Sequence, residues 1–225
     1  MKSRNQERNY AMEKIKTSKQ RILVIALTLC MLFTLFAPAT NVNAASKRAK
    51  ALTAYQKKLK KLDSSAYKFA LVYLDKDSVP ELLITPYDGA HAFAGKAYIY
   101  TSGKLKQLKY AGSDYGRFIY SEKKSVVSNS AWVNRYGAIA TFYSFTSKGK
   151  GIKLKKFEEV NSPKYLYKIN GKKVSKKKYN SEYKKMVKKY PLKQIWPIDA
   201  FYLTTDNINN LIKNYKSFVV TGDKF

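Results

Sequence analysis

Short strand-like runs between regularly spaced turn signals dominate the middle of the chain. The turn signals fall at residues 102–103, 122–124, 148–151 and 170–171. They recur roughly every 22 residues. Two strands of about nine residues and one tight turn fit this spacing, so it predicts consecutive antiparallel hairpins. Asn170-Gly171 is the strongest of these signals, because both central residues of a type I′ turn need a positive φ.

An amphipathic pattern precedes the strand-like runs. Leu52, Tyr55, Leu59 and Leu62 follow one another at intervals that place them on one face of a helix. The pattern predicts a helix within residues 46–66 that ends near residues 63–65. Residues 67–75 and 81–87 then predict the first two strands, since both are rich in aliphatic and aromatic residues.

Two helical patterns follow the strands. The first has Asn180 or Ser181 as its expected cap and Pro191 as its end. The second has Thr205 as its expected cap. Their expected buried faces consist of Tyr183, Met186, Val187 and Tyr190 in the first helix, and Ile208, Leu211, Ile212 and Tyr215 in the second.

Strands in the middle with helices at both ends predict an α+β fold. We expect an antiparallel β-hairpin meander, forming a curved sheet, flanked by an N-terminal helix and C-terminal helices. The residues expected to be mostly buried are Leu71, Leu82, Leu83, Ile84, Tyr98, Ile99, Phe118, Trp132, Ile139, Phe142 and Leu211.

Residues 1–45 have the layout of a secretory signal peptide. Basic residues precede an uncharged, mostly apolar run from Ile22 to Phe36, and small residues with A-x-A-like spacing lead to Ala44 and Ala45. The run has fifteen residues, fewer than the roughly 20 of a membrane-spanning helix. We therefore predict cleavage between Ala44 and Ala45 and a single secreted α+β domain over residues 46–225. An uncleaved membrane anchor is the alternative.

The predicted location is extracellular, at a Gram-positive cell surface, with contact to the membrane only through the uncleaved signal segment. Residues 46–225 contain no cysteine, because the single Cys30 lies in the apolar run. A secreted domain without disulfides depends on packing, or on a bound ion, for its stability.

Lysine dominates the charge of the chain. The sequence has 44 basic and 15 acidic residues, of which residues 1–45 contain seven basic and two acidic ones. Residues 46–225 therefore contain 37 basic and 13 acidic residues, and 34 of these 37 basic residues are lysines. Arginine is the side chain that reads bases or grips a phosphate with two hydrogen bonds, so no specific nucleic-acid partner is expected. Excess lysine creates a diffuse field suited to anionic cell-wall polymers or surface glycans. The alternative is a solvated surface without a ligand.

The segment YLDKDSVPELLI, residues 73–84, holds the one tight acidic cluster of the sequence. Asp75, Asp77 and Glu81 lie within seven residues and lead into an apolar run. An EF-hand loop needs a glycine at its sixth position. Counted from Asp75, that position holds Pro80, so the cluster is not an EF-hand.

A different register resembles the D-x-[DN]-G-D-G-x-x-[DE]-L loop of FG-GAP-like secreted repeats, which joins two strands and can bind calcium. Its third, fifth and ninth positions are Asp75, Asp77 and Glu81, while the first, normally aspartate, is Tyr73. The resemblance implies a weak calcium site. The alternative is a strand–turn–strand in which Asp75 or Asp77 makes side-chain-to-backbone turn bonds.

Four further segments carry a wider resemblance, at residues 75–83, 98–108, 169–179 and 203–208. They match the patterns D-x-D-x-x-P-E-L-L, Y-x-Y-x-x-G-K-x-K-x-L, I-N-G-K-K-V-S-K-K-K-Y and L-T-x-x-N-I. Together they resemble uncharacterised secreted proteins of Gram-positive gut bacteria. The resemblance covers most of residues 46–225, and its motifs are structural, so it implies no catalytic activity.

Catalytic patterns are scarce. His91 is the single histidine, and the sequence contains no G-x-S-x-G elbow. Glu158 and Glu159 are adjacent on a predicted strand and therefore point to opposite faces. We predict no enzyme; a polysaccharide-active hydrolase with two carboxylates is the poorer alternative.

Together these features predict a non-catalytic exported binding module whose lysine-rich surface holds anionic wall polymers or glycans. The alternative is a calcium-assisted FG-GAP-like structural or interaction domain, with other surface proteins as partners. Calcium, weakly bound by Asp75, Asp77 and Glu81, is the one cofactor that the residues suggest.

Overall fold

The computed structural model describes residues 40–87, 95–109, 111–112, 117–132, 137–161 and 164–225, with backbone alone at 40–43 and 132. The chain divides into two compact units, Met1–Asn43 and Ala44–Phe225. Of the first unit, only residues 40–43 are described. None of the helices in the described ranges is both long and apolar enough to cross a membrane.

The N-terminal helix, the strands in the middle of the chain and the two C-terminal helices follow the predicted order, but three short strands after residue 190 were not predicted. The helices are α1 (Thr40–Leu59), α2 (Lys176–Lys189) and α3 (Thr205–Asn210). The strands are β1 (Tyr67–Val72), β2 (Glu81–Pro86), β3 (Lys96–Thr101), β4 (Lys104–Gln107), β5 (Phe118–Ser121), β6 (Val126–Trp132), β7 (Gly137–Phe145), β8 (Gly151–Asn161), β9 (Tyr165–Ile169), β10 (Lys172–Val174), β11 (Lys193–Ile195), β12 (Phe201–Tyr202) and β13 (Asp223–Lys224). Short 3₁₀ turns lie at Pro197–Asp199 and Tyr215–Phe218.

The strands form two antiparallel sheets. One has five strands in the order β12-β1-β2-β3-β4, and the other has eight in the order β10-β9-β8-β7-β6-β5-β11-β13. The predicted α+β class is confirmed, and neighbouring strands from β1 to β4 and from β5 to β10 pair as hairpins. The meander is divided between two sheets, where the sequence suggested one curved sheet.

Three apolar clusters stack the unit Ala44–Phe225 into four layers. The first joins α1 to one face of β1 and β2, the second joins the other face of β1–β3 to β5, β6 and β7, and the third joins the outer face of the eight-stranded sheet to α2. The order of layers is therefore helix, five-stranded sheet, eight-stranded sheet, helix.

Burial on both faces of the five-stranded sheet explains why the strands separate into two sheets. Every residue of β2 is buried, as are five of the six in β1. Phe69 and Leu71 pack towards α1, whereas Ala70 and Val72 pack towards the other sheet. Continuous apolar runs of this kind need a cover on each side, and the eight-stranded sheet supplies the second cover.

Most of the predicted core is confirmed. Leu71, Leu82, Leu83, Ile84, Tyr98, Ile99, Phe118, Phe142 and Leu211 are buried. Ile139 is only half-buried, because it lies near one end of the long strand β7 and belongs to none of the three clusters. The side chain of Trp132 lies outside the described residues.

The helix boundaries differ from those predicted. Helix α1 begins at Thr40, so Ala44 and Ala45 lie within it. Helix α2 begins earlier than predicted, because the Ser175 hydroxyl accepts a hydrogen bond from the Lys178 N–H and caps it. Its predicted face packs into the third cluster, as expected.

Helix α3 is shorter than the sequence pattern suggested. Thr204, not Thr205, is its cap, since the Thr204 hydroxyl accepts a hydrogen bond from the Asn207 N–H. The helix ends at Asn210. Ile208 and Leu211 are buried and Tyr215 is half-buried, but Ile212, predicted to be buried, is 38% exposed. Leu211 still has helical backbone angles as the C-cap, whereas Ile212 follows it outside the helix.

Positive φ values occur at the predicted hairpin turns. Ser102 and Gly103 have φ of 51° and 74°, and Asn170 and Gly171 have 51° and 80°. These are the pairs that type I′ turns require. A Cβ on Gly171 would meet nothing within 4 Å. A Cβ on Gly137, whose φ is 121°, would lie 1.7 Å from the Glu159 carbonyl oxygen.

These two glycines give a paired prediction. Gly171→Ala should lower the free energy of unfolding by about 1 kcal/mol, because it meets only the strain of a left-handed backbone. Gly137→Ala should lower it by at least about 3 kcal/mol, since a close contact with the β8 backbone is added. Urea unfolding followed by tryptophan fluorescence measures both. Equal losses in the two variants would contradict the register between β7 and β8.

Candidate functional site

The acidic segment forms the loop between β1 and β2. The Asp77 N–H donates to Asp75 Oδ1 at 2.9 Å, and the Val79 N–H donates to Asp77 Oδ1 at 2.8 Å. Each aspartate thus satisfies a backbone donor two residues ahead, a common turn-forming bond. These bonds reverse the chain between the two strands. The polar turn, one of the two structures that the sequence allowed for residues 73–84, is therefore present.

Glu81 is the first residue of β2 and is 2% exposed. Its Oε2 accepts a hydrogen bond of 2.7 Å from the Leu74 N–H. One carboxylate oxygen from each of Asp75, Asp77 and Glu81 lies within 4.8 Å of the others. The structure therefore brings together the three residues predicted from the sequence, and this acidic group can hold a metal ion.

Burial and mutual repulsion act on these carboxylates. Burial, followed by the charges of Asp75 and Asp77, raises the pKa of Glu81 well above its ordinary value. Burial is also the main cause that raises the pKa of Asp75, and the Asp77 charge adds to it. A cation among the three oxygens would offset both effects, because it favours the charged form of each group.

Two groups from α1 complete the surroundings of the loop. The Lys47 ammonium forms an ion pair with Asp77 Oδ2. The buried Tyr55 hydroxyl donates a hydrogen bond of 3.0 Å to the Pro80 carbonyl, and burial and then the Glu81 charge raise the Tyr55 pKa. Lys76, between the two aspartates, is exposed. The lysine that pairs with the cluster thus comes from a distant part of the sequence.

The β5–β6 turn holds the acidic loop from the other sheet. The Lys123 N–H donates to the Tyr73 carbonyl at 3.1 Å, and the Ser125 N–H donates to the Leu74 carbonyl at 2.7 Å. Lys123 and Ser125 both have positive φ, a strained conformation for residues other than glycine. Sequence reasoning missed this support, because nothing near residue 123 signals a contact fifty positions away.

A second feature is the basic surface formed by residues 164–189, which comprise the β9–β10 hairpin, α2 and the residues joining them. Eleven of these 26 residues are lysines and only Glu182 is acidic. Ten of the lysines are exposed, and Lys168 is half-buried. Sequence reasoning counted the total excess of lysine but missed this contiguous segment, which is visible in the sequence itself.

The basic surface rests on a cluster of aromatic rings. Tyr179 and Tyr183 of α2 pack edge-to-face on Phe157, with centroids 5.6 and 5.2 Å away. Tyr167 of β9 contacts Tyr179 at 5.2 Å. These contacts fix the hairpin and the helix to the sheet, so the lysine backbone positions are set before any ligand arrives.

The remaining residues considered for catalysis do not form a site in the described ranges. His91 lies outside the described residues. Glu158 pairs with Lys156 at 2.7 Å, whereas Glu159 lies near Tyr179. Glu158 and Glu159 thus face opposite sides of β8, as predicted, and do not form a carboxylate pair.

The raised pKa of Glu81 gives a prediction for stability against pH. The folded protein holds this proton more tightly than the unfolded chain, so stability should fall as the pH rises above 4.5, the ordinary value for glutamate. Glu81→Gln removes this titration and should raise the melting temperature at neutral pH, while keeping an acceptor for the Leu74 N–H.

Calorimetric melts of the metal-free protein across this pH range test the prediction. Asp223→Asn, a change at an exposed carboxylate, is the control and should leave the pH dependence unaltered. A Glu81→Gln variant with the same pH dependence as the parent protein would show that the buried carboxylate does not cost stability.

Comparison of the chain with protein-family models, with curated proteins and with solved structures gave no match.

Proposed function

We propose that this protein is a non-catalytic, exported binding module that holds anionic cell-wall polymers or surface glycans on its basic surface. The observation that carries the proposal is the concentration of eleven lysines and one acidic residue in residues 164–189. The signal-peptide pattern of residues 1–45 supports export to the compartment where such polymers occur.

The charge of the basic surface is nearly uncompensated. Glu182 is its single acidic side chain and bonds to Lys155 at 2.8 Å and Lys185 at 2.9 Å. Hydrogen bonds from these lysines lower the pKa of Glu182 to about 2, so its charge is present at any physiological pH. The other lysines of α2 are exposed to solvent and to a ligand.

The type of cation favours a repetitive polyanion over a single defined phosphate. Lysine ammonium groups on flexible side chains act as point charges without the planar geometry of arginine. Many such contacts, each weak, hold a polymer without reading its sequence, and they weaken together as salt rises. The fixed positions of α2 and the β9–β10 hairpin reduce the ordering that binding requires.

A pair of fourfold variants tests this proposal. The first replaces Lys177, Lys178, Lys184 and Lys188 of α2 with glutamine. The matched control replaces Lys50, Lys57, Lys60 and Lys61, in and just after α1, with glutamine. Both sets are exposed and remove the same net charge, so they differ only in location.

The α2 variant should elute from purified Gram-positive cell walls at clearly lower salt. The slope of log affinity against log salt should fall by roughly 3, because each contact to a flexible polyanion contributes about 0.7. The α1 variant should remain close to the parent protein. Equal losses in both variants would overturn the proposal, since net charge rather than the basic surface would then control binding.

A second function is favoured by the acidic loop: a calcium-assisted structural or interaction domain of the FG-GAP-like kind, with surface proteins as partners. The supporting observation is the approach of three carboxylate oxygens to within 4.8 Å, one of them from the buried Glu81. Tyr73 replaces the first ligand of that motif, so we expect an affinity of roughly 0.1–1 mM, typical of extracellular modules.

Calcium should stabilise the fold by mass action. At a dissociation constant of about 1 mM, 10 mM calcium adds about 1.4 kcal/mol, which for a domain of this size corresponds to roughly 3–6 °C in melting temperature. Asp77→Ala should abolish this response. Asp63→Ala is the matched control, because Asp63 makes a similar bond to the Ser65 N–H outside the cluster and should keep the response. Equal melting temperatures with calcium and with chelator would contradict this function and show that the loop is a turn that binds no calcium.

A further inference from the structure

A small hollow lies on the outer face of the eight-stranded sheet beside α2. Its volume is about 240 Å³. Among the residues that line it are Ser130, Ala138, Ala140, Glu159, Tyr179 and Tyr183. The hollow exists because the sheet carries alanine and serine here, whereas Phe142 and Phe157 fill the space beneath α2 farther along.

The walls of the hollow combine an apolar floor with several hydrogen-bonding groups. Ala138 pairs with Glu159 across β7 and β8, and Ala140 pairs with Phe157, so the two alanines lie on the same face of the sheet as these side chains. Ser130, 8% exposed, shares a hydrogen bond of 3.1 Å with Ser128. The rings of Tyr179 and Tyr183 lie parallel, 6.4 Å apart, one helical turn from each other.

The polar groups can both donate and accept. Burial, and then the charge of Glu159, raise the pKa of Tyr179 to about 12, so this phenol keeps its proton and donates at neutral pH. Glu159 offers only acceptors. Arg117 lies at the same hollow, with its guanidinium 5.1 Å from the Trp196 ring. The opposite charges of Arg117 and Glu159 balance each other, so the two residues give the hollow no net charge that would attract a charged ligand.

We propose that this hollow binds one neutral sugar ring, a pyranose monosaccharide unit. A pyranose presents an apolar C–H face to the alanine floor and the tyrosine rings, and hydroxyl groups to the phenol, serine and carboxylate. The volume lies below the roughly 300–1,000 Å³ of pockets for drug-sized ligands, which restricts the occupant to about one ring. The proposal goes beyond polyanion binding and does not rest on it, because a neutral ring makes no use of the exposed lysines.

Titration of the full chain with glucose, galactose and N-acetylglucosamine, followed by calorimetry and by NMR, tests the site. Glucuronate and glucosamine serve as charged probes of similar size. At least one neutral sugar should bind with a dissociation constant on the order of 1–10 mM. The charged sugars should bind more weakly, and added salt should leave the binding of the neutral sugar unchanged.

Two variants place the binding in the hollow. Ala138→Leu fills the space and should weaken binding at least about tenfold. Tyr179→Phe removes only the hydroxyl and should weaken it several-fold while keeping the aromatic packing. Tyr165→Phe is the control, since Tyr165 is 58% exposed and outside the hollow, and it should bind as the parent does. If Ala138→Leu lacks a cooperative melting transition and is therefore not folded, the sugar affinities of Tyr179→Phe and Glu159→Gln show whether the sugar binds in the hollow.

The proposal is overturned if no neutral sugar binds at concentrations up to about 50 mM, or if binding survives these variants unchanged. Binding that falls with salt and with the α2 lysine replacements, but not with Ala138→Leu, would also overturn it. That last result would support the basic surface as the site of polymer binding.

Discussion

The contact between the two sheets is the interaction on which the rest of the structure depends. It is made by the second apolar cluster, in which Phe118 and Tyr120 stack with their centroids 5.7 Å apart and small residues such as Ala70 and Ala97 face them. Residues 46–225 contain no cysteine, so burial of apolar surface, rather than a disulfide, joins β1–β3 to β5, β6 and β7.

This contact also determines the character of the acidic loop. It helps to remove Glu81 from solvent by covering one face of β2, while α1 covers the other, and it brings the β5–β6 turn against the carbonyls of Tyr73 and Leu74. An ionised carboxylate that is buried beside two others lowers the stability of the fold unless a counter-charge lies nearby. Lys47 supplies one ammonium to the most exposed part of the cluster, and a divalent cation would compensate the charges more fully. The same features that give the loop a fixed geometry therefore make it a candidate metal site.

The outer layer shows how packing creates two different surfaces on one helix. The inner face of α2 is anchored by aromatic contacts to Phe142 and Phe157, and its outer face presents lysines to solvent. Where the sheet carries alanines instead of phenylalanines, the tyrosines of α2 border a hollow rather than a filled core. A charged outer surface and an inner hollow are thus consequences of one amphipathic helix on a sheet whose side chains differ in size.

The sequence by itself determined most of the secondary structure, most of the core and the members of the acidic cluster. These features depend on residues that are close together in the sequence, so neighbouring positions reveal them. They are the hydrophobic periods of two and of 3.6 residues, the turn residues with positive φ, and the spacing of Asp75, Asp77 and Glu81. Only the tertiary structure decided that the meander divides into two sheets, that Lys47 pairs with Asp77, and that a hollow opens above Ala138. Each of these depends on which apolar faces cover one another, a choice made by contacts between residues far apart in the chain.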